Sequence, residues 1–159
     1  MGKSLLITRI FLLDGYVSLY NAEQSSTYIR YKCLGNRCTA KNAIDRDKHS
    51  MAVTTGSKFA WWSVQLASVV RIKTILVSTE TYALRVNYFR RFKVETKVLL
   101  SEPWKVCKRE YSLQGSPKLH MVQCENVTLA GYLRLSVAGA IVSLYLYEVQ
   151  VIGSPTGKR

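Results

Sequence analysis

The stretch NAIDRDKHSMAVTTGSKFAWWSVQL, residues 42–66, joins a cluster of oxygen-bearing side chains to an apolar strand. In its second half, Trp62, Val64 and Leu66 alternate with polar side chains. This period of two predicts a half-buried β-strand. Because successive side chains of a strand point to opposite faces, we expect one of the adjacent indoles of Trp61 and Trp62 in the core and the other over the sheet edge.

The first half of the stretch is dense in hard oxygen donors, namely Asn42, Asp45, Asp47, Ser50, Thr54 and Thr55. Calcium suits such a set, because it binds about six to eight oxygens in an irregular shell. The spacing differs from the helix-loop-helix calcium motif, since no glycine follows Asp47 and no glutamate closes the loop. A polar turn whose Asp and Asn side chains bond their own backbone explains the same residues. Both interpretations stay open at this point.

Several other segments have the composition of short strands: residues 69–78, 90–98, 119–124, 132–137 and 144–152. In residues 90–98, the side chains of Phe92, Val94, Thr96 and Val98 share one face, and those of Arg91, Lys93, Glu95 and Lys97 share the other. The second face predicts a solvated basic ridge. No segment has a convincing helical period, so we expect one all-β domain, an antiparallel β-sandwich or barrel.

Composition bounds the domain count and the kind of partner. A chain of 159 residues with 48% apolar side chains suits one soluble domain, which we place at residues 14–153, followed by a basic tail at residues 154–159. The net charge of +13 favours anionic partners. A transmembrane helix is excluded on length, because no run of about 18 apolar residues occurs.

The N-terminal residues 1–13, MGKSLLITRIFLL, resemble a secretory signal, although Arg9 interrupts the apolar run and no small-x-small cleavage site follows. They fit a degenerate signal or a first strand. The four cysteines allow three connectivities, and their local spacing favours Cys33–Cys38 and Cys107–Cys124. Disulfides predict an oxidising, extracellular compartment, whereas four reduced thiols are the alternative.

Glu148 stands out in the last apolar segment, because a carboxylate is costly to bury without a partner. A salt bridge to Arg or Lys is the simplest explanation. A bound cation is the other.

Several motifs, in this order and spacing, resemble the discoidin or coagulation-factor C-type domain, and more closely its F-type lectin branch, the fucolectins. They are QSSTY at 24–28, NAID at 42–45, WWSVQL at 61–66, RVN at 85–87, YLRLSV at 132–137 and YLYEVQVIG at 145–153. The resemblance implies an all-β, jelly-roll-like sandwich of the discoidin type. It also implies a structural calcium ion and a sugar, typically fucose, bound in loops at one end.

Carried over residue by residue, the family's calcium shell falls on Asn42, Asp45, Asp47, Ser50, Tyr147 and Glu148. Tyr147 stands where the family has a cysteine and can offer only its carbonyl oxygen. The partner of that cysteine falls at Met51, so both halves of one family disulfide are absent together, which supports the alignment.

The family's sugar-binding histidine, arginine, aspartate and second arginine fall on Val53, Ser78, Glu80 and Arg85, and only Arg85 is unchanged. Tyr82 lies where relatives have one cysteine of a stacking pair, and it can supply an aromatic surface instead. The resemblance therefore assigns carbohydrate binding to Glu80, Tyr82 and Arg85, with a pattern that departs from ordinary fucose recognition.

The resemblance predicts a secreted, non-catalytic, calcium-stabilised lectin-like module for fucosylated or anionic glycans. Neither histidine, His49 nor His120, has a visible nucleophile partner, which agrees with a protein that is not an enzyme. The alternative function is adhesion to anionic glycans or acidic membrane surfaces through the basic charge, with Lys58, Phe59 and Ala60 as the candidate membrane-touching tip. Nucleic acid is not expected as a partner of a disulfide-bonded protein.

Overall fold

A computed structural model of the protein describes residues 14–29, 33, 37–79, 91–113 and 119–157. Within these residues the chain forms one short 3₁₀ helix, Ala40–Ala43, and a series of antiparallel strands. The strands are β1 (Gly15–Val17), β2 (Leu19–Gln24), β3 (Ala52–Val53), β4 (Ser57–Ser78), β5 (Arg91–Lys97), β6 (Lys105–Ser112), β7 (Leu119–Val122), β8 (Thr128–Val142), β9 (Tyr145–Leu146) and β10 (Glu148–Pro155).

The strand β4 organises the fold, because it takes part in both layers. Its first half pairs with β2 and β8, and its second half pairs with β10 and β7. The register with β8 shifts between Gln65 and Val70, where the strand changes partners. Irregularities of this kind bend a strand and increase its twist. The prediction of a separate strand at residues 69–78 was therefore wrong, since these residues continue β4.

Two layers result from this change of partners. The front layer has the order β2-β4-β8-β5-β6, and the back layer has the order β1-β10-β4-β7. The short pair β3-β9 lies outside the main sheet. The prediction of an all-β antiparallel sandwich is confirmed.

The core lies between the inner faces of the two layers. Trp62 is fully buried, and its indole Nε1 donates to the Ala40 carbonyl at 3.0 Å, so burial leaves no polar atom of the ring unsatisfied. The front layer contributes Trp62, Val64, Phe92, Val94, Leu133 and Leu135, and the back layer contributes Ile75, Val77, Val122, Val149 and Val151. Trp61 points to the outer face of the front layer. We predicted that one indole would cover a sheet edge, and this was wrong for Trp61, because β4 is paired on both sides there.

We predicted that Arg91, Lys93, Glu95 and Lys97 form a solvated ridge on β5, and this was wrong for Glu95, which is buried. That side chain is 5% exposed and accepts hydrogen bonds from Arg134 Nε at 2.8 Å, Lys93 Nζ at 3.1 Å and Ser136 Oγ at 3.2 Å. A buried carboxylate is tolerated when cations and hydroxyls satisfy it in this way.

Both predicted disulfides are present, and none of the described cysteines is free. Cys33–Cys38 braces the segment in which Ile29 bridges Arg37. Cys107–Cys124 joins β6 to the connection between β7 and β8. Of the helices in the described part of the chain, none has the length and apolar character needed to cross a membrane.

Candidate functional site

The side chain of Asn42 holds the start of the oxygen-rich turn, residues 42–50, in place. Asn42 is buried, and its Nδ2 donates to the carbonyl oxygens of Arg37 at 3.2 Å and Met51 at 3.0 Å. Its Oδ1 accepts from Thr39 Oγ1 at 3.1 Å. The side-chain amide of Asn42 is therefore engaged by protein partners, and the backbone carbonyl oxygen of Asn42 is the atom that contacts Ser50.

Three oxygen atoms surround the buried hydroxyl of Ser50. Ser50 Oγ lies 2.6 Å from Asp45 Oδ2, 3.0 Å from the Asn42 carbonyl oxygen and 3.1 Å from the Asp47 carbonyl oxygen. A hydroxyl carries one proton, so it can donate to only one of these three acceptors at a time. The cluster thus has more acceptors than its donor can satisfy.

The same turn also bonds its own backbone, as the polar-turn interpretation requires. Asp45 Oδ1 accepts from the Asp47 amide at 2.8 Å, and Asp47 Oδ1 accepts from the His49 amide at 2.9 Å. Arg46 has a φ of 64°, in the left-handed region that non-glycine residues rarely adopt. These contacts fix which oxygens face Ser50.

Glu148, the first residue of β10, lies against this turn although about a hundred residues separate them in sequence. Burial and, second to it, the neighbouring charge of Asp45 raise the pKa of Glu148 to about 7, against the lowering effects of a hydrogen bond from the Arg46 backbone and of the Arg46 charge. One carboxylate oxygen, Oε2, is buried without a hydrogen-bond partner. No lysine or arginine among the described residues forms a salt bridge with Glu148, so the salt bridge expected from the sequence is not found there.

Tyr147 packs on the other side of this region. It belongs to a small apolar cluster with Met51, Val53 and the disulfide of Cys33 and Cys38, and its amide donates to the Ser78 carbonyl at 2.8 Å. Met51 and Tyr147 therefore share one cluster, as the resemblance requires of two positions that replace a family disulfide.

The structure thus brings Asn42, Asp45, Asp47 and Ser50 together and places Asp45 beside Glu148. Only two carboxylates are involved, and no group of three or more His, Cys, Asp or Glu side chains suited to a metal occurs in the described part of the chain. The remaining donors are carbonyl and hydroxyl oxygens, which suit calcium and do not suit zinc. A cavity of about 610 Å³, lined by Arg46, Glu148 and residues 16–19, lies next to the pair.

No protein-family model matches the chain, and no curated protein matches it in sequence. Solved structures do match its fold. The f-lectin (fucolectin) from striped bass serum, Morone saxatilis, aligns with a TM-score of 0.68 and 19% identity over 84% of this chain. The chain has the fold of the fucolectins. It spans 46% of the length of the bass chain.

Two smaller structures share the fucolectin fold over nearly their whole length. The lectin domain of lectinolysin, complexed with Lewis B antigen, gives a TM-score of 0.67 and 20% identity, with 85% of this chain and 93% of that chain covered. A fucose binding module from Streptococcus pneumoniae aligns with a TM-score of 0.67 and 19% identity, with 84% of this chain and 91% of that chain covered. At this level of identity the likeness to these two structures is one of fold.

The structure does not bring the predicted sugar-binding residues together as it does the oxygen cluster, because it describes only some of them. Glu80, Tyr82 and Arg85 lie outside the described residues. Val53, which the resemblance places at the family's sugar-binding histidine, is 2% exposed in β3, so its side chain is packed in the protein. Ser78 ends β4 and pairs with Glu148 in register.

The candidate membrane-touching tip is not a loop tip, because Lys58, Phe59 and Ala60 lie within β4 and Ala60 is fully buried. A set of outward-facing aromatic and basic side chains on the front layer was not predicted from the sequence: Trp61, Trp104, Tyr132 and Arg134. The alternation of residues 61–66 was the signal that could have found them, since it places Trp61 opposite the core.

Proposed function

We propose that this chain is a non-catalytic, calcium-stabilised carbohydrate-binding module. The observation that carries the proposal is its fold, shared over 84% of the chain with a fucolectin and with a structure named as a fucose binding module. Fold alone does not fix function. The oxygen cluster at Ser50 and the unpartnered Glu148 oxygen add chemistry that such a module uses.

The sugar site departs from ordinary fucose recognition. In place of a histidine the chain has the packed side chain of Val53, and in place of the first arginine it has Ser78. Each charge-assisted donor lost from a buried sugar contact weakens binding by roughly 1.5–3 kcal/mol. We assign the remaining contacts to Glu80, Tyr82 and Arg85 and expect a glycan other than a simple terminal fucose.

A glycan array tests the proposed carbohydrate binding. We expect the folded protein to bind a subset of glycans in calcium-containing buffer, and Arg85→Ala to weaken that binding about tenfold or more. The melting temperature of Arg85→Ala should equal that of the wild type, which separates a lost contact from a lost fold. Absence of binding to every glycan at millimolar concentration, together with no retention on a heparin column, would overturn the proposal.

Calcium is proposed because the donors present fit it. Asp45 and Glu148 supply two carboxylates, and the carbonyl oxygens of Asn42 and Asp47 with the Ser50 hydroxyl supply neutral oxygens of the kind calcium accepts. The buried Glu148 Oε2 lacks a protein donor among the described residues, so a cation is the partner that would offset its burial. Tyr147 can contribute only its carbonyl oxygen. A bound cation would tie the 42–50 turn to β10 and stabilise the fold.

Secretion is part of the same proposal. Two disulfides are stable in oxidising compartments, and the bass fucolectin is a serum protein.

A further inference from the structure

The outer face of the front layer carries a groove of about 640 Å³, formed by residues outside the 42–50 turn. We call it the sheet groove. Its lining includes one acidic side chain, Glu23 of β2, together with Trp61, Gln65, Lys97, Trp104, Tyr132 and Arg134. This volume is within the roughly 300–1,000 Å³ range of small-molecule sites.

The strand register explains why these side chains share one face. Gln65 of β4 pairs with Tyr132 of β8, which pairs with Lys97 of β5. One row further along, Ser63 pairs with Arg134, and Arg134 pairs with Glu95. Because strand side chains alternate, Trp62 in the core requires this whole set to face outward.

A fixed turn after β5 forms one wall of the sheet groove. Glu102 Oε2 accepts from the amides of Val98 at 3.0 Å and Leu99 at 3.3 Å, and Lys97 Nζ donates to the Leu100 carbonyl at 2.8 Å. Gly131 of β8 lets this turn lie close, because a Cβ there would overlap the Val98 carbonyl oxygen. The turn holds Trp104 over the sheet.

The aromatic rings of the sheet groove lie beside cations. The ring centroid of Trp104 is 4.6 Å from Lys97 Nζ and 4.6 Å from Arg134 Cζ, and that of Tyr132 is 5.4 Å from Lys97 Nζ. Cation–π contacts of this length are favourable and orient both groups. The rings are therefore held in place before any ligand arrives.

Charge distinguishes the two cations. Arg134 is neutralised by the buried Glu95, with both contacts at 2.8 Å. Lys97 makes no salt bridge to any carboxylate in the described part of the chain, and its one oxygen partner there is the neutral Leu100 carbonyl. An ammonium has three donors, so Lys97 of β5 retains donors that no carboxylate occupies. Glu23, the acidic side chain of the groove lining, lies on β2 and is separated from β5 by β4 and β8.

We propose that the sheet groove binds a short acidic saccharide, with a carboxylate or sulfate at Lys97 and sugar rings against Trp104 and Tyr132. Aromatic rings offer apolar faces for the C–H surfaces of sugars, and Gln65 and Ser63 offer polar groups for hydroxyls. The chain's net charge of +13 draws such an anion toward the protein. The residues that form this groove are other than Glu80, Tyr82 and Arg85, and none of them is a proposed calcium ligand.

Titration calorimetry with matched probes tests the proposal. The probes are tetragalacturonate and its methyl ester, and a heparin tetrasaccharide and its desulfated, N-acetylated form. We expect at least one acidic probe to bind about tenfold or more tightly than its less charged partner, because a charge-assisted contact to Lys97 is lost in the latter. Comparison of the two pairs tells a carboxylate from a sulfate.

Variants locate the binding. Lys97→Gln should reduce the affinity for the acidic probe to the affinity that the wild type has for the less charged probe. Trp104→Ala should weaken the binding of both probes about tenfold. The control Arg71→Gln removes the same charge from an exposed position on the second half of β4 and should have little effect. Titrations in calcium and in chelator should give the same affinity for the acidic probe, which keeps this test independent of the calcium site.

Three results would overturn the proposal. One is equal binding of the acidic and less charged probes, and another is an equal loss from Lys97→Gln and Arg71→Gln, which indicates diffuse charge. The third is that a ten-nucleotide oligothymidylate binds more tightly than either acidic saccharide and that Trp104→Ala abolishes this binding. Aromatic rings beside cations are also typical of sites that bind single-stranded nucleic acid.

Discussion

At the scale of single residues, Glu148 decides whether the oxygen cluster is a calcium site. Without a cation, its half-buried carboxylate is destabilising, since burial and Asp45 both oppose its charge. Replacement by glutamine removes that charge and keeps the shape. We therefore expect Glu148→Gln to melt no lower than the wild type in chelator, while in calcium the wild type melts higher and the variant does not respond.

The expected size of the response follows from ligand linkage. A ligand bound only by the folded state at a hundredfold excess over its Kd stabilises by roughly 2.7 kcal/mol, or about 5–10 °C in a domain of this size. Thermal melting by circular dichroism measures it, after elemental analysis shows that chelation removed any bound metal. Asp45→Ala should abolish the response as Glu148→Gln does. A wild-type melting curve indifferent to calcium and chelator would return the 42–50 turn to the polar-turn interpretation.

At the scale of elements, the turn between β5 and β6 depends on the carboxylate of Glu102. Its hydrogen bonds from the Val98 and Leu99 amides hold the pKa of Glu102 below the usual range. A lowered pKa means that the contribution to stability is present above the unfolded-state pKa and is lost as pH falls through the folded-state value. The turn should therefore stay ordered through the ordinary titration range of a glutamate and loosen only at lower pH.

Amide NMR shifts of Val98 and Leu99 report this loosening directly. Glu102→Gln is the matched control, because it keeps an acceptor oxygen and does not titrate. The two amides should shift together with pH in the wild type and remain constant in the variant. A transition of the same midpoint in Glu102→Gln would assign the effect to another group.

The elements also show what local sequence patterns can and cannot predict. The local sequence pattern found the first half of β4 and β5 by alternation, and β7, β8 and β10 by composition, because each has one face in the core. It missed β6, whose fully buried residue is Cys107 and whose Val106 is 46% exposed, since an edge strand needs few apolar side chains. It also could not show that β4 is continuous, because the change of layer near Gln65 depends on strands distant in sequence.

At the scale of the whole molecule, long-range pairing sets the limit of prediction from sequence. Nothing in residues 42–50 indicates that Glu148 lies beside Asp45; the resemblance to the fucolectins supplied that pairing, and the structure brings the two residues together. The sheet groove was not predicted, because Trp61, Lys97, Trp104 and Tyr132 come from separate segments that meet only through the register of β4, β8 and β5. The positions Glu80, Tyr82 and Arg85 remain predictions.

The two disulfides should differ in what they contribute to the stability of the whole molecule. Cys107–Cys124 closes a separation of 17 residues and links β6, at the edge of the front layer, to the segment after β7 of the back layer. Cys33–Cys38 closes a separation of 5 residues within one segment. Cross-links stabilise mainly by restricting the unfolded chain, and the effect grows with loop length.

We therefore expect the double variant Cys107→Ala/Cys124→Ala to lose about 3 kcal/mol of unfolding free energy, and Cys33→Ala/Cys38→Ala to lose about 2 kcal/mol. The second pair is a matched control, because Cys33, Cys38 and Cys107 are all buried and each leaves a similar small void. Urea denaturation of oxidised samples measures both differences, provided that the slopes agree with the wild type. An equal or larger loss from the Cys33–Cys38 variant would mean that native packing, and not the unfolded chain, determines what these bridges contribute.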